Sequence, residues 1–348
     1  MSHMSGSTTA EILPTVADDA TWGRGVSLWR DPRRFAGVYA GQLGITAAFL
    51  LLWLAFLVSA PDTFLRWEIY AAYAATIPLF GIVAMPLTLV VTAGEIDLSF
   101  PSTMALGMVG FVLVWENTDN VTLAVGAALL IGVAAGLING FVIVQIGVPA
   151  LVATIGTLFF FRGLSLVLIG GRNVTLTGTR DSIVFRLFVG EFFGIPMQFF
   201  WLLLAAVATW IVLNRHRYGA AVYVIGDNRE TAELQGIRTK RVRTLLFVLV
   251  GLAAAFAGIL SSLFIVSFFP SVGEGQLLPA LAAVFVGGTS VFGGKGTVWG
   301  TLLGAFMIGT INAGIVAAGL TGFYTQLIYG AVIVVSVSIH AIVQRRFG

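Results

Sequence analysis

Apolar residues run along this chain in long blocks separated by short polar connections. The blocks fall at residues 35–59, 69–92, 102–115, 121–145, 149–169, 197–213, 244–268, 278–292, 297–318 and 323–343. Most are close to or above the roughly 20 residues a helix needs to cross about 30 Å of hydrocarbon. Blocks 102–115 and 278–292 are too short to cross alone. They are expected to be broken or re-entrant, which lipid tolerates only where protein or a cavity surrounds the free backbone groups. The pattern predicts an all-α polytopic membrane protein of about ten transmembrane helices with such interruptions.

Residues 1–34 are polar and mixed, and read as a soluble tail with a surface helix near Trp22 and Trp29. Met1-Ser2-His3-Met4 reads as a cloning remnant, and the tail holds no apolar core of signal-peptide length. The membrane domain then covers 35–348.

Composition agrees. The 348 residues are 58% hydrophobic and 10% charged, against about 25% charged in soluble domains. The 42 glycines suit close helix packing in lipid. Gly132, Gly136 and Gly140 recur every fourth residue and make one flat face. Cysteine is absent, which excludes disulfides and thiolate chemistry. Charge placement sets orientation. With the N-terminus inside, 14 of the 19 Lys and Arg residues fall on the cytoplasmic side, as the positive-inside bias requires. Both termini are therefore expected in the cytoplasm.

Two loops are too long for simple connections. The outer one, 170–196, presents Arg172, Arg180 and Arg186 as a docking surface. The inner one, 214–243, holds seven basic and three acidic residues. Within it, Asp227 and Glu230 resemble a capping box, and Gly236 fits the left-handed position after a helix. Between them a helix over 228–235 would be too short to stand alone. It is expected to dock on a partner.

The residues carry a family resemblance. Glu230-Thr231-Ala232 followed by Gly236 resembles the Glu-Ala-Ala…Gly coupling motif of ATP-binding-cassette importer membrane subunits, with Thr231 departing from it. Arg217-Tyr218-Gly219, Ile225-Gly226-Asp227-Asn228-Arg229-Glu230 and Gly236-Ile237 are similar to the form in ribose-type monosaccharide permeases. Gly94-Glu95-Ile96-Asp97-Leu98-Ser99 resembles that family's Gly-Gly-Ile-Asp-Leu-Ser stretch, with Glu95 in place of a glycine. Leu278-Pro279-Ala280, Gly287-Gly288-Thr289-Ser290 and Gly293-Gly294-Lys295-Gly296 resemble its glycine-rich segment. The resemblance implies a bacterial inner-membrane permease that imports a solute. Its partners would be a cytoplasmic ATPase docking Asp227, Asn228, Arg229, Glu230, Thr231, Ala232 and Gly236, a solute-binding protein, and a second copy or sister permease. ATP and Mg would sit on the ATPase, with no cofactor on this chain. A P-loop around Lys295 fails: Thr289 stands where its first glycine should be and Gly296 where its hydroxyl should be.

Polar residues inside the spans are functional suspects by default. Asp97, Ser99 and Pro101 read as a structural helix break, with Pro101 suited to a first turn. Glu95 stays open between structure and pathway. Arg162 is expected to face protein or a wet cavity. Asn139 and Asn312 suit interhelical hydrogen bonds, with ligand contact the alternative, and Phe160 is either packing or a sugar platform. His3, His216 and His340 are scattered, no catalytic motif is present, and a metal site is not expected. An ion-coupled secondary carrier is the competing class; the capped basic loop argues against it. The ligand rests on the resemblance: a monosaccharide, pentoses first, with polyols, nucleosides and furanone signals as alternatives.

Overall fold

The computed structural model describes residues 32–319 and 322–347; the N-terminal remnant and the helix expected near Trp22 and Trp29 lie outside the described residues. Helices dominate, in the order α1 (Pro32–Ser59), α2 (Pro61–Phe64), α3 (Trp67–Thr76), α4 (Pro78–Thr92), α5 (Phe100–Thr118), α6 (Val121–Gly140) and α7 (Ala150–Ile169). After α7 come β1 (Val174–Thr175), α8 (Ile183–Val189), β2 (Glu191–Phe192), β3 (Ile195–Pro196), α9 (Met197–Asn214), α10 (Arg217–Asp227) and α11 (Arg229–Leu234). The chain closes with α12 (Thr239–Phe264), β4 (Ser267–Phe268), α13 (Leu277–Val286), α14 (Val298–Ala317) and α15 (Gly322–Phe347).

Among the described residues six helices are long and apolar enough to cross a membrane, or seven when α3 and α4, bent by 50° at their junction, count as one. The chain is an all-α polytopic membrane protein. Pro78 opens α4, and a proline lacks the N–H that would continue α3's hydrogen bonding, so the bend falls there. α6 runs on into a π-helical turn at Phe141–Ile146.

Three expectations on span limits are corrected. Block 102–115 is no short segment, because Phe100 and Pro101 start α5 earlier and Glu116 to Thr118 lengthen it to 19 residues. The interruption lies before it, at residues 93–99. Block 278–292 ends at Val286, since Gly287 and Gly288 (φ +86°) leave helical geometry. Block 244–268 starts at Thr239 and stops at Phe264, because the basic first turn is helical too and Ser267 pairs as a strand.

The α6 glycine face packs closely on the backbone of α12, with only the small side chains of Ala255 and Thr244 beside it. A methyl group on Gly132 would lie 2.5 Å from the carbonyl oxygen of Gly251, and one on Gly136 equally close to that of Phe247. Gly140 faces Thr244, so the two helices run antiparallel with backbones in contact. The outer loop is folded rather than slack. β1 pairs antiparallel with β4, and β2 with β3.

Candidate functional site

Three stretches far apart in sequence meet at one point. α4 ends at Thr92, and its carbonyl accepts from the Gly294 N–H at 2.9 Å. Gly293 and Gly294 both have positive φ, at 85° and 72°, a turn only glycine makes without strain. Gly226, near the end of α10, sits between them: a Cβ there would collide with the Thr92 oxygen and lie 2.6 Å from the Gly294 nitrogen. Tyr223, one turn earlier, donates its hydroxyl to the Gly296 carbonyl at 2.9 Å, and burial pushes its phenol up from the ordinary value. The helix break, the basic loop and the glycine-rich segment are thereby one structural unit.

Glu95 is its charged centre. It is 8% exposed and pairs with Arg229 at 2.8 Å and, more closely, with Arg243. Arg243 is 6% exposed, while the Arg229 side chain is 47% exposed. Two guanidiniums thus share one carboxylate, and only one of them reaches solvent.

Arg229 also begins α11. The cap of this helix is Asn228, whose side chain accepts from the Thr231 N–H at 2.9 Å. The expected cap, Asp227, instead completes the last turn of α10. The expected helix over 228–235 is accordingly shorter, at Arg229–Leu234. Its end closes as glycine allows: Gly236 has φ +78°, and the Ile237 N–H reaches back to the Ala232 carbonyl at 3.0 Å. Glu233 accepts from the Thr239 hydroxyl at 2.8 Å, tying α11 to α12. Ala232 is fully buried against the chain. Asp227, Asn228, Arg229, Glu230, Thr231 and Gly236 are exposed, and Leu234 is 83% exposed. Arg229, Ala232 and Glu233 anchor this short helix on the chain, and Glu230, Thr231 and Leu234 are left exposed.

The family described as "Branched-chain amino acid transport system / permease component" matches residues 69–337. The chain belongs to this family. The ribose import permease protein of Escherichia coli (strain K12) is 34% identical over 259 residues, 74% of this chain and 80% of the relative. That of Bacillus subtilis (strain 168) is 37% identical over 260 residues, with the same coverage. The autoinducer 2 import system permease protein of Salmonella paratyphi A is 31% identical over 316 residues, 87% of this chain and 93% of the relative. No solved structure matches. The chain is the permease component of an ATP-binding-cassette importer, a multi-pass transporter subunit and not an enzyme. Such a component works with an ATPase and a solute-binding protein.

Two further groups form among the permease's singled-out residues, Asp97–Ser99–Asn139 and Pro101–Arg162, while Phe160 and Asn312 join neither. Asp97 accepts from both the N–H and the hydroxyl of Ser99 at 2.7 Å, so it braces the turn before α5 rather than the helix N–H groups themselves. Asn139 donates to the same Ser99 hydroxyl at 2.7 Å, fixing α6 to the break. Pro101 stands in the first turn of α5. Arg162 donates to the carbonyls of Pro270, Pro101 and Val272 and lies 3.6 Å from Glu274. Its donors are committed to backbone carbonyls, two in the irregular segment before α13 and one in the first turn of α5. Phe160 is 62% exposed on the outside of the chain. Asn312 lines a cavity of about 610 Å³ together with Thr76, Gln276, Thr325 and Tyr329, and Glu95 one of about 510 Å³ together with Arg229 and Arg243.

On the outer loop, Arg172 forms a two-point pair with Glu116 at 2.7 and 2.5 Å, and that pairing holds its guanidinium above the ordinary value. Arg180 and Arg186 are exposed. Sequence reading missed Arg243, Tyr223 and Gly226 as members of the site. A signal existed for Arg243, the last charged residue of α12 before its apolar stretch begins.

Proposed function

We propose that this permease carries a monosaccharide, a pentose as first candidate, across the bacterial inner membrane. A solute-binding protein delivers it and ATP hydrolysis on a separate subunit, with Mg, drives it; this chain holds no cofactor of its own. About ten spans with both termini cytoplasmic put α10, α11 and Lys295 on the ATPase side, in keeping with the positive-inside bias. α11 docks in a groove of the ATPase. Loop 170–196 receives the binding protein, and a second copy or a sister permease completes the pathway. The cavity around Asn312 supplies hydroxyl-directed polar groups on the solute's route.

The observation that carries this reading is the Arg229–Glu95 pair, which joins the proposed docking helix directly to the break between two spans. Movement of α11 has a rigid route into the membrane domain through it. The two ribose import relatives support the sugar assignment. A second reading, import of a furanone-type signal, is favoured by the longer match to the autoinducer 2 relative.

Permease, ATPase and binding protein reconstituted in proteoliposomes provide the test. Labelled ribose should enter only with ATP and binding protein together. Uptake of the signal alone selects the second reading. Uptake driven by an ion gradient without the ATPase overturns both.

A further inference from the structure

Between α9 and α12, over the face of α4, lies an apolar groove of about 440 Å³. Leu204, Ala205, Ala208 and Val212 form one wall, and Leu249 and Phe256 the other. Beyond the end marked by Val212 and Leu249 is a polar cavity of about 480 Å³, lined by Arg217, Arg238 and Arg241 with Tyr218, Gly236 and Val242. The two share a helix face. Val242, Leu249 and Phe256 follow one another every seven residues along α12, a two-turn spacing on one side of a helix. Arg217 starts α10 only five positions after Val212.

The three arginines are exposed, and none forms an ion pair among the described residues. Three unpaired guanidiniums around one cavity repel one another unless an anion joins them, and their planar forks fit phosphate oxygens two at a time. Their level along the molecule is marked by a neighbour. Arg215 lies over the Trp210 ring, 5.3 Å from its centroid, and tryptophan with a basic partner is typical where a span leaves hydrocarbon for headgroups. An apolar slot open to lipid therefore ends in an unsatisfied cationic cavity at headgroup level.

We propose that groove and cavity form one site for an anionic phospholipid, with an acyl chain between α9 and α12 and the phosphodiester held by Arg217, Arg238 and Arg241. A zwitterionic lipid would bring an ammonium group into a cluster of three like charges, so the site selects for net negative headgroups. Because Gly236 closes α11 and Tyr218 belongs to α10, an occupied site braces both helices against the start of α12. That consequence for coupling rests on the docking role proposed for α11; lipid binding does not.

The full chain is purified, stripped of lipid, and titrated separately with phosphatidylglycerol, phosphatidylcholine and inorganic phosphate. Native mass spectrometry counts retained molecules, and thermal unfolding reports protection. Phosphatidylglycerol should be retained about tenfold better than phosphatidylcholine and should raise the Tm, whereas phosphate should do neither. Arg217→Gln, Arg238→Gln and Arg241→Gln together should erase that preference. Ala208→Trp, which fills the groove and leaves the arginines intact, should lower retention of both lipids. Equal retention of the two lipids by the unaltered chain, or protection by phosphate alone, overturns the site. So does a triple variant that keeps the preference but loses the ATPase, since the arginines would then belong to the ATPase dock.

Discussion

Glu95 and Arg229 are 134 positions apart in sequence and 2.8 Å apart in space. One stands where the chain leaves α4, the other at the first residue of α11, and the resemblance noted in the sequence puts a glycine where this chain has Glu95. The energetics of the pair are lopsided. Arg243 is buried beside the same carboxylate, so loss of Glu95 strands a buried charge, at a cost of about 3–5 kcal/mol. Loss of the half-exposed Arg229 leaves Glu95 still paired, at about 0–1 kcal/mol.

Glu95→Ala should therefore lower the Tm of the purified chain well beyond the effect of Arg229→Ala. The double variant should resemble Glu95→Ala alone. Thermal unfolding in detergent gives all three values, and equal shifts for the two single variants would show that Arg243 does not depend on Glu95.

Disruption of α11 should separate docking from insertion. Gly236→Val puts a β-branched residue at φ +78°, which such residues avoid, and Leu234→Glu changes the most exposed apolar side chain of the helix. Either should leave membrane insertion intact and abolish both ATPase pull-down and ATP-driven uptake. Asn228→Ala, which removes only a cap worth about 1 kcal/mol, should weaken uptake partially. Full ATPase recovery with Leu234→Glu would move the dock elsewhere.

On the other face, Arg180→Glu with Arg186→Glu should reduce stimulation of ATP hydrolysis by the binding protein and leave the basal rate unchanged. Rim charges govern encounter more than affinity, so the defect should shrink as salt rises. Arg172 belongs in a separate experiment, because its bidentate pair with Glu116 makes it part of the loop's own structure. Salt-independent stimulation in the double variant would remove these two arginines from the encounter surface.

Asn312→Ala should raise the KM for uptake severalfold while ATPase retention stays normal, because the residue lines a cavity and holds up no helix break. Phe160→Ala, on the outside of the chain, should leave KM unchanged. The reverse pattern would exchange the roles of the two residues.

What was legible in the sequence was local. Gly236, Pro101 and the glycine row on α6 announce themselves because one residue's backbone, or one helix face, dictates the choice. The off-by-one at Asp227 has a local cause as well: two adjacent residues could both cap, and the preceding helix claimed the first. The convergence of Thr92, Gly226 and Gly294 was not legible, since it depends on how three separate segments fold together. Nor were the carbonyl partners of Arg162, two of which, Pro270 and Val272, come from irregular backbone whose path no periodicity encodes. Asn312 was found for its polarity inside an apolar block, but the same criterion also selected Asn139, which ties α6 to Ser99. In sequence, an amide that holds helices together and one that faces a cavity look alike until their neighbours are known.

The backbone contact between α6 and α12 has a mechanical consequence. Where Gly132 meets Gly251 the two backbones touch, with only the Ala255 methyl beside them, so the pair should move as a single stiff beam with Arg243 near one end. From Arg243 to Phe264 the beam is about 31 Å long at 1.5 Å per residue. A tilt of about 5° pivoting at Arg243 would carry the far end roughly 3 Å, against the 5.4 Å pitch of a helical turn. Small rotations at the salt-bridged end therefore become larger displacements at the opposite end, beside β4 and the outer loop.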